Sequence, residues 1–146
     1  MSSVVRPRPG FELDWLAVDV GGHVGLFSTG GQGPVPSAVA DHLDIVQAAI
    51  ERLMALPILG ECAESPPGDG NFSFWVEPAR RGLYGFDWGP VPVGPYARIT
   101  VPSQPVLIAN LLVTAIRDAA ALVRIPVDFS ATSHVEASEL GVDPHK

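Results

Sequence analysis

The sequence predicts an α+β fold: a two-layer sandwich with a mostly antiparallel sheet of about five to six strands and two helices on one face, in the order ββαβββαβ. Three observations carry this. Two apolar runs, Leu13–Val18 and His23–Phe27, flank Asp19-Val20-Gly21-Gly22, the pattern of a hairpin with a tight turn. An apolar stripe at helical spacing follows a Gly/Pro-rich reversal. Further short apolar runs come after it, two of them joined by a link brief enough for a hairpin, and then a second helical stretch.

The first strands are Leu13–Val18 and Val24–Ser28, with Leu13, Trp15 and Ala17 on one face and Asp14, Leu16 and Val18 on the other. Gly30-Gly31-Gln32-Gly33-Pro34 turns the chain back onto the sheet. The first helix is expected over Ser37–Leu56. Val39, Leu43, Val46, Ile50 and Leu53 form its stripe, Ser37 can cap it, and Pro57 stops it. Residues 60–70 read as a loop. Phe72–Glu77, Leu83–Trp88 and Tyr96–Val101 are expected strands, the first two joined by Pro78–Gly82. The second helix is expected over Pro105–Val123 with most of its circumference buried, because its polar residues fall on one narrow stripe. Ile125–Phe129 closes the order as a Pro-bounded edge strand. Residues 1–146 read as a single domain with a loose arm at 1–10 and a polar tail at 131–146.

Composition narrows the function classes. Of 146 residues 47% are hydrophobic and 17% charged, and mean hydropathy is +0.25, values that belong to a globular chain with a real core. Fifteen Gly and fifteen Pro fall between the apolar runs as turn punctuation. Lys146 is the only lysine, and the richness in Arg, Ala, Gly, Pro and Val points to a GC-rich bacterial genome. Net charge is −7, so no basic face is expected and nucleic acid is not an expected partner. Cys62 stands alone, which leaves no disulfide within the chain and no cysteine-based zinc site. The opening MSSVVRPRPG has no apolar core of a signal peptide, and Val106–Val123 carries too many polar groups for a membrane span. A cytoplasmic protein without membrane contact or cofactor is expected.

Candidate chemistry is sparse. The Gly30–Gly33 loop lacks the Lys-Ser/Thr pair of a phosphate loop, and Pro34 and Pro36 remove donors, so it reads as a structural turn. Asp19 and His23 could form a general-base pair, with Ser28-Thr29 near in sequence, but a solvent-facing turn histidine is the preferred reading. His42 is one residue from Asp41 and two from Asp44, the wrong spacing for a shared helical metal site. Glu61 and Glu64 flank Cys62 and blunt its thiol. His134, Glu136 and His145 read as tail residues.

The richest polar-aromatic cluster is Trp75, Glu77, Arg80, Arg81, Tyr84, Asp87 and Trp88, with Arg98 on the next strand. Beside the ordinary reading of a sheet face with cross-strand pairs stand a protein-contact patch and a ligand pocket.

The block Asp14-Trp15-Leu-Ala-Val-Asp19-x-x-Gly-His-Val-Gly-Leu-Phe27-Ser-Thr-Gly-Gly-x-Gly-Pro-x-Pro36, with the later Pro95-Tyr96-x-Arg98-Ile, resembles a group of small bacterial proteins. These are similar to cytoplasmic immunity proteins of polymorphic-toxin systems. The resemblance implies an acidic α+β domain that binds a toxin domain and blocks it, with no catalytic residue. On this reading the protein is a non-enzymatic binder. Trp75, Tyr84 and Trp88 are the anchors, ringed by Glu77, Asp87 and the helix carboxylates Asp41, Asp44 and Glu51, and a basic protein is the partner. The second reading is a ligand-binding domain or enzyme with Glu77, Arg98 and His23 in a pocket between sheet and helices. The third is a self-assembly module, a homodimer joined along Ile125–Phe129 and the second helix.

Overall fold

The computed structural model describes residues 4–5, 12–66, 72–89 and 94–140. The fold is α+β, with a curled, mostly antiparallel main sheet consistent with the expected two-layer sandwich. Asp14–Val18 (β2) and Val24–Ser28 (β3) pair antiparallel from Asp14↔Ser28 to Val18↔Val24, as the alternation predicts. Gly22 takes φ +86° in the connecting turn, a backbone region in which only glycine is unstrained. Before this hairpin, Val4–Val5 (β1) pairs with Val35–Pro36 (β4), so the arm expected to be loose contributes a strand.

Beyond β3 the sheet continues with Tyr84–Trp88 (β6), parallel to β3, and Tyr96–Pro102 (β7), antiparallel to β6. Cys62–Glu64 (β5) pairs with the end of β7, a strand inside the segment expected to be loop. His134–Val135 (β8) pairs with the start of β7. The order is therefore β2-β3-β6-β7-β5, with β8 beside β7.

The first helix is divided into Ser37–Ala40 (α1), Leu43–Glu51 (α2) and a 3₁₀ turn, Leu53–Ala55. His42 leaves helical geometry at φ −136°, ψ 43°. The expected stripe survives the break, since Val39, Val46 and Leu53 are all buried.

Phe72–Glu77, expected as a strand, is helical: Ser73–Arg80 forms α3. Its side chains satisfy helical spacing better than alternation. Glu77 pairs with Arg80 three residues on and Arg81 four residues on, contacts that only a helix brings together. Trp75 lies against the backbone of Gly85, where a Cβ would come within 2.9 Å of its ring.

The second expected helix also breaks. Ile108–Asn110 is a 3₁₀ turn, Leu111 and Val113 are extended, and only Thr114–Ala121 (α4) is α-helical. Tertiary pairing intervenes here. Leu107 bridges to His23, and the Ile108 N–H donates to the Gly22 carbonyl at 2.8 Å. Leu112 is 78% exposed, so the burial expected around most of the circumference does not extend to this segment.

Two apolar clusters lie on the two sides of the sheet. Leu16, Val24 and Leu26 pack with Ala49, Leu53, Ile116 and Ala119 of the helical layer. On the other side Trp15, Phe27 and Phe86 stack, Tyr96 meets Trp15 and Phe27 edge-on, and the group is covered by Phe129, Val135 and Leu140. Ala137–Leu140 is a last helical turn, α5. Residues 131–140 of the expected polar tail are thus part of the fold, while His145 lies outside the described residues. Ile125–Phe129 is not a strand: the Ile125 N–H bonds Val18, and Phe129 then turns inward over Gly25. Ile125, Phe129 and the apolar face of α4 are buried within the chain itself.

Candidate functional site

Two features stand out: a polar knot around the hairpin turn, and an exposed apolar surface beside the helices.

Asp19, the residue after β2, is wholly buried. Its Oδ1 accepts the backbone N–H groups of Gly21 (2.9 Å) and His23 (2.8 Å). Its Oδ2 accepts the N–H of Phe129 at 2.8 Å and meets His23 Nδ1 at 3.0 Å. A buried carboxylate is tolerable only with its lone pairs satisfied, and four partners do so here. His23 is therefore a held side chain rather than the free turn histidine expected. Its ring stands edge-on to Tyr84, with centroids 5.9 Å apart.

The remaining members arrive from distant segments. Arg98 on β7 donates to the Phe129 carbonyl at 2.6 Å, and Arg124 reaches the carbonyls of Asp19 and Val20 at 3.5 and 3.4 Å. Asp128 is exposed, and its Oδ1 accepts the hydroxyl and N–H of Ser130 at 2.6 and 2.9 Å. Those bonds hold its carboxyl below the usual range, with a smaller contribution from His23. Tyr84 is 2% exposed, and burial pushes its phenol upward; Arg98 opposes this, while Asp19 and Asp128 add to it. The two hydroxyls that sequence proximity offers to His23 are engaged elsewhere. Thr29 Oγ1, wholly buried, accepts the Leu13 and Gly31 N–H groups, and Ser28 hydrogen-bonds Asp14.

The predicted aromatic anchors do not form a surface. Tyr84 and Trp88 are core residues, at 2% and 6% exposure, because β6 is an interior strand covered on its aromatic face. Trp88 packs against Tyr96, with centroids 4.9 Å apart, and both crowd Gly33, where a Cβ would stand 2.7 Å from the Tyr96 hydroxyl. The Gly-rich loop is thus a close-approach turn, pinned by the Tyr96 hydroxyl donating to the Pro34 carbonyl at 2.8 Å. Trp75 is half-buried on α3.

Glu77 does not converge with His23 and Arg98. It accepts from Arg81 at 2.9 Å and Arg80 at 3.2 Å, and these bonds hold its carboxyl below the ordinary range. Asp87 is half-buried, and burial pushes its carboxyl up, with Glu12 and Asp14 adding to the rise. Asp41, Asp44 and Glu51 are exposed, as expected of a solvated helix face. The Cys62 thiol donates to the Glu64 carbonyl at 2.9 Å and is raised by burial, the same direction in which the Glu64 charge acts.

The apolar surface was not foreseen. Met54, Ile58, Leu59, Phe74, Leu107 and Leu112 are each between 40% and 78% exposed. Two shallow hollows open among them. One, of about 350 Å³, is lined by Ile50, Leu53, Met54, Phe74 and Pro78. The other, of about 340 Å³, is lined by Leu56, Leu59, Val106, Leu107, Leu111 and Leu112. Segment 53–59 contributes to both, and Arg81 Nε joins the second to α3 through the Leu56 carbonyl at 3.1 Å. Reading Phe74 into a strand and Leu107 and Leu112 into a helix buried over most of its circumference hid this surface in the sequence. The clue that remained was the run of large apolar residues around Pro57, MALPIL, too dense for a solvated loop.

Compared with protein-family models, with curated proteins and with solved structures, the chain matches none. Among the described residues no helix is long and apolar enough to cross a membrane.

Proposed function

We propose that this chain is a protein-binding domain that acts by stoichiometric contact rather than by catalysis, in the manner of an immunity protein of the cytoplasm. The observation that supports it is the set of exposed large apolar side chains Met54, Ile58, Leu59, Phe74, Leu107 and Leu112, five of which line the two hollows to which segment 53–59 contributes. The occupant is a basic protein that inserts apolar side chains into the two hollows. Charge complementarity argues for this partner. Asp44, Ala48 and Glu51 lie along one face of α2, which leads into the turn bearing Met54, and the net charge of the chain is −7. The nearby cations Arg80 and Arg81 are tied to Glu77.

The test is capture from the native cell at low salt with the wild-type chain and with Phe74→Asp/Leu112→Asp. A basic protein held one-to-one by the wild type, released by salt and absent from the variant, is the expected result. An equal amount held by both chains, or none held by either, would overturn the proposal.

A further inference from the structure

Among the described residues, Asp19, His23 and Asp128 are the one group of three metal-ligating side chains whose donor atoms lie within 4.8 Å of one another. We infer that this cluster is a binding site for a divalent cation of the zinc class, with waters completing the coordination.

The donor set fits such an ion. An imidazole and two carboxylates suit borderline divalent metals better than calcium or magnesium, which take oxygen almost alone. Asp19 Oδ2 and His23 Nδ1 stand 3.0 Å apart. In a tetrahedral site with bonds of about 2.1 Å two donors stand about 3.4 Å apart, so this hydrogen-bonded pair opens by a few tenths of an ångström to hold the ion. Binding exchanges one arrangement for another. The imidazole takes the tautomer that carries its proton on Nε2, Nδ1 gives up its contact with Oδ2, and the Nδ1 lone pair turns to the metal. Asp128 supplies the third donor from the solvent side. Ser130 occupies its Oδ1, and its Oδ2 has no partner among the described residues.

Charge and hydrogen bonding point the same way. Arg98 and Arg124 lie close, but they bond the backbone carbonyls of Phe129, Asp19 and Val20. Among the described residues neither forms an ion pair with Asp19 or Asp128, and the sole ion-pair partner of Asp19 is His23. Tyr84 borders the cluster. It is 2% exposed, its ring contacts His23, and the charges of Asp19 and Asp128 both act on its phenol. Its hydroxyl is not among the buried unpartnered side-chain atoms of the described residues, so it reaches solvent, where a water on the metal would be one of its partners. The ion would tie the hairpin turn 19–23 to the 128–130 turn, and so fasten the segment that covers the aromatic face.

The test uses the full, tag-free chain. Zn²⁺ is titrated calorimetrically, and Co²⁺ is titrated by visible absorption, whose d–d bands report donor geometry. One ion per chain is expected. Asp128→Asn should weaken binding at least about tenfold, and Asp128→Glu should restore most of it. Asp128 is exposed, so the metal-free variants should melt with the wild type, which separates lost ligation from lost folding. No saturable binding, binding unchanged in Asp128→Asn, or binding abolished by His134→Ala instead would each overturn the inference.

Discussion

Asp19 Oδ2 accepts the backbone N–H of Phe129 at 2.8 Å, a buried bond between groups 110 residues apart. The first hairpin and the last covering segment of the fold are joined at that point. Asp19→Ala would leave the N–H groups of Gly21, His23 and Phe129 without their acceptor, the last of them in a buried position. The expected loss of stability is about 3 kcal/mol or more. Asp19→Asn keeps one acceptor oxygen and should lose less. Urea unfolding with a constant m-value would measure both; a loss below about 1 kcal/mol for the alanine variant would mean that water or another group satisfies the orphaned donors.

Gly25 gives a second, purely steric prediction. A Cβ there would stand 2.9 Å from Phe129 Cε2 and 3.0 Å from Phe27 Cε1. Gly25→Ala should destabilise by about 1–3 kcal/mol, because two rings that meet edge-on in a filled core must move together. A thermal melt indistinguishable from wild type would show that Phe129 is not seated over β3.

The half-buried Asp87 should behave in the opposite way. Burial raises its carboxyl, so the folded state holds the proton more tightly than the unfolded chain does. Stability from this residue is highest below the unfolded pKa and falls as pH rises through the folded pKa. Asp87→Asn should therefore stabilise the protein at neutral pH, and the gain should vanish as pH falls below the ordinary carboxylate range. Unfolding free energies across that range decide it; a gain that is the same at every pH would point to packing rather than charge.

Glu77 titrates with the other sign. Bonds from Arg81 and Arg80 depress its carboxyl, so their contribution is present above the unfolded pKa and is lost as pH falls through the depressed folded one. Glu77→Gln should mimic that acid state at neutral pH by loosening Arg81 from Leu56. Amide exchange in α3 and at Leu59 and Gly60, whose N–H groups bond the Arg80 carbonyl, should quicken while the hairpin β2–β3 stays protected.

Surface charge should govern how fast a partner arrives. Reversing Asp44 and Glu51, both exposed, should slow association with a basic partner and flatten its salt dependence, while dissociation changes little. Phe74→Asp should instead speed dissociation. Association rates that ignore the charge reversals would remove electrostatic steering from the proposal.

How legible the chain was depended on whether its signals were local. The β2–β3 hairpin, β6 and β7 were readable because alternation and turn chemistry act over a few neighbours. Phe72–Glu77 misled for the same reason. Six residues alternate by accident of composition, and the decisive signal, Glu77 facing Arg80 and Arg81, lay just past the end of the run. The candidate sites were less legible still. Asp19 and His23 showed their spacing, but Asp128 and Tyr84 reach them only through the folded sheet and the returning C-terminal segment.

By itself the sequence determined the α+β class, the opening hairpin and the buried stripes, since each follows from which side chains water excludes along a short stretch. Tertiary structure decided what covers each face. Trp88 and Tyr84 are aromatic residues that could as well have been surface anchors; they are core because Phe129, Val135 and Leu140 close over that side of the sheet. Leu112 and Phe74 are as apolar as residues of the core, yet they remain exposed because no segment among the described residues covers them. Burial is a property of pairs of segments, and pairs distant along the chain are invisible to any local pattern.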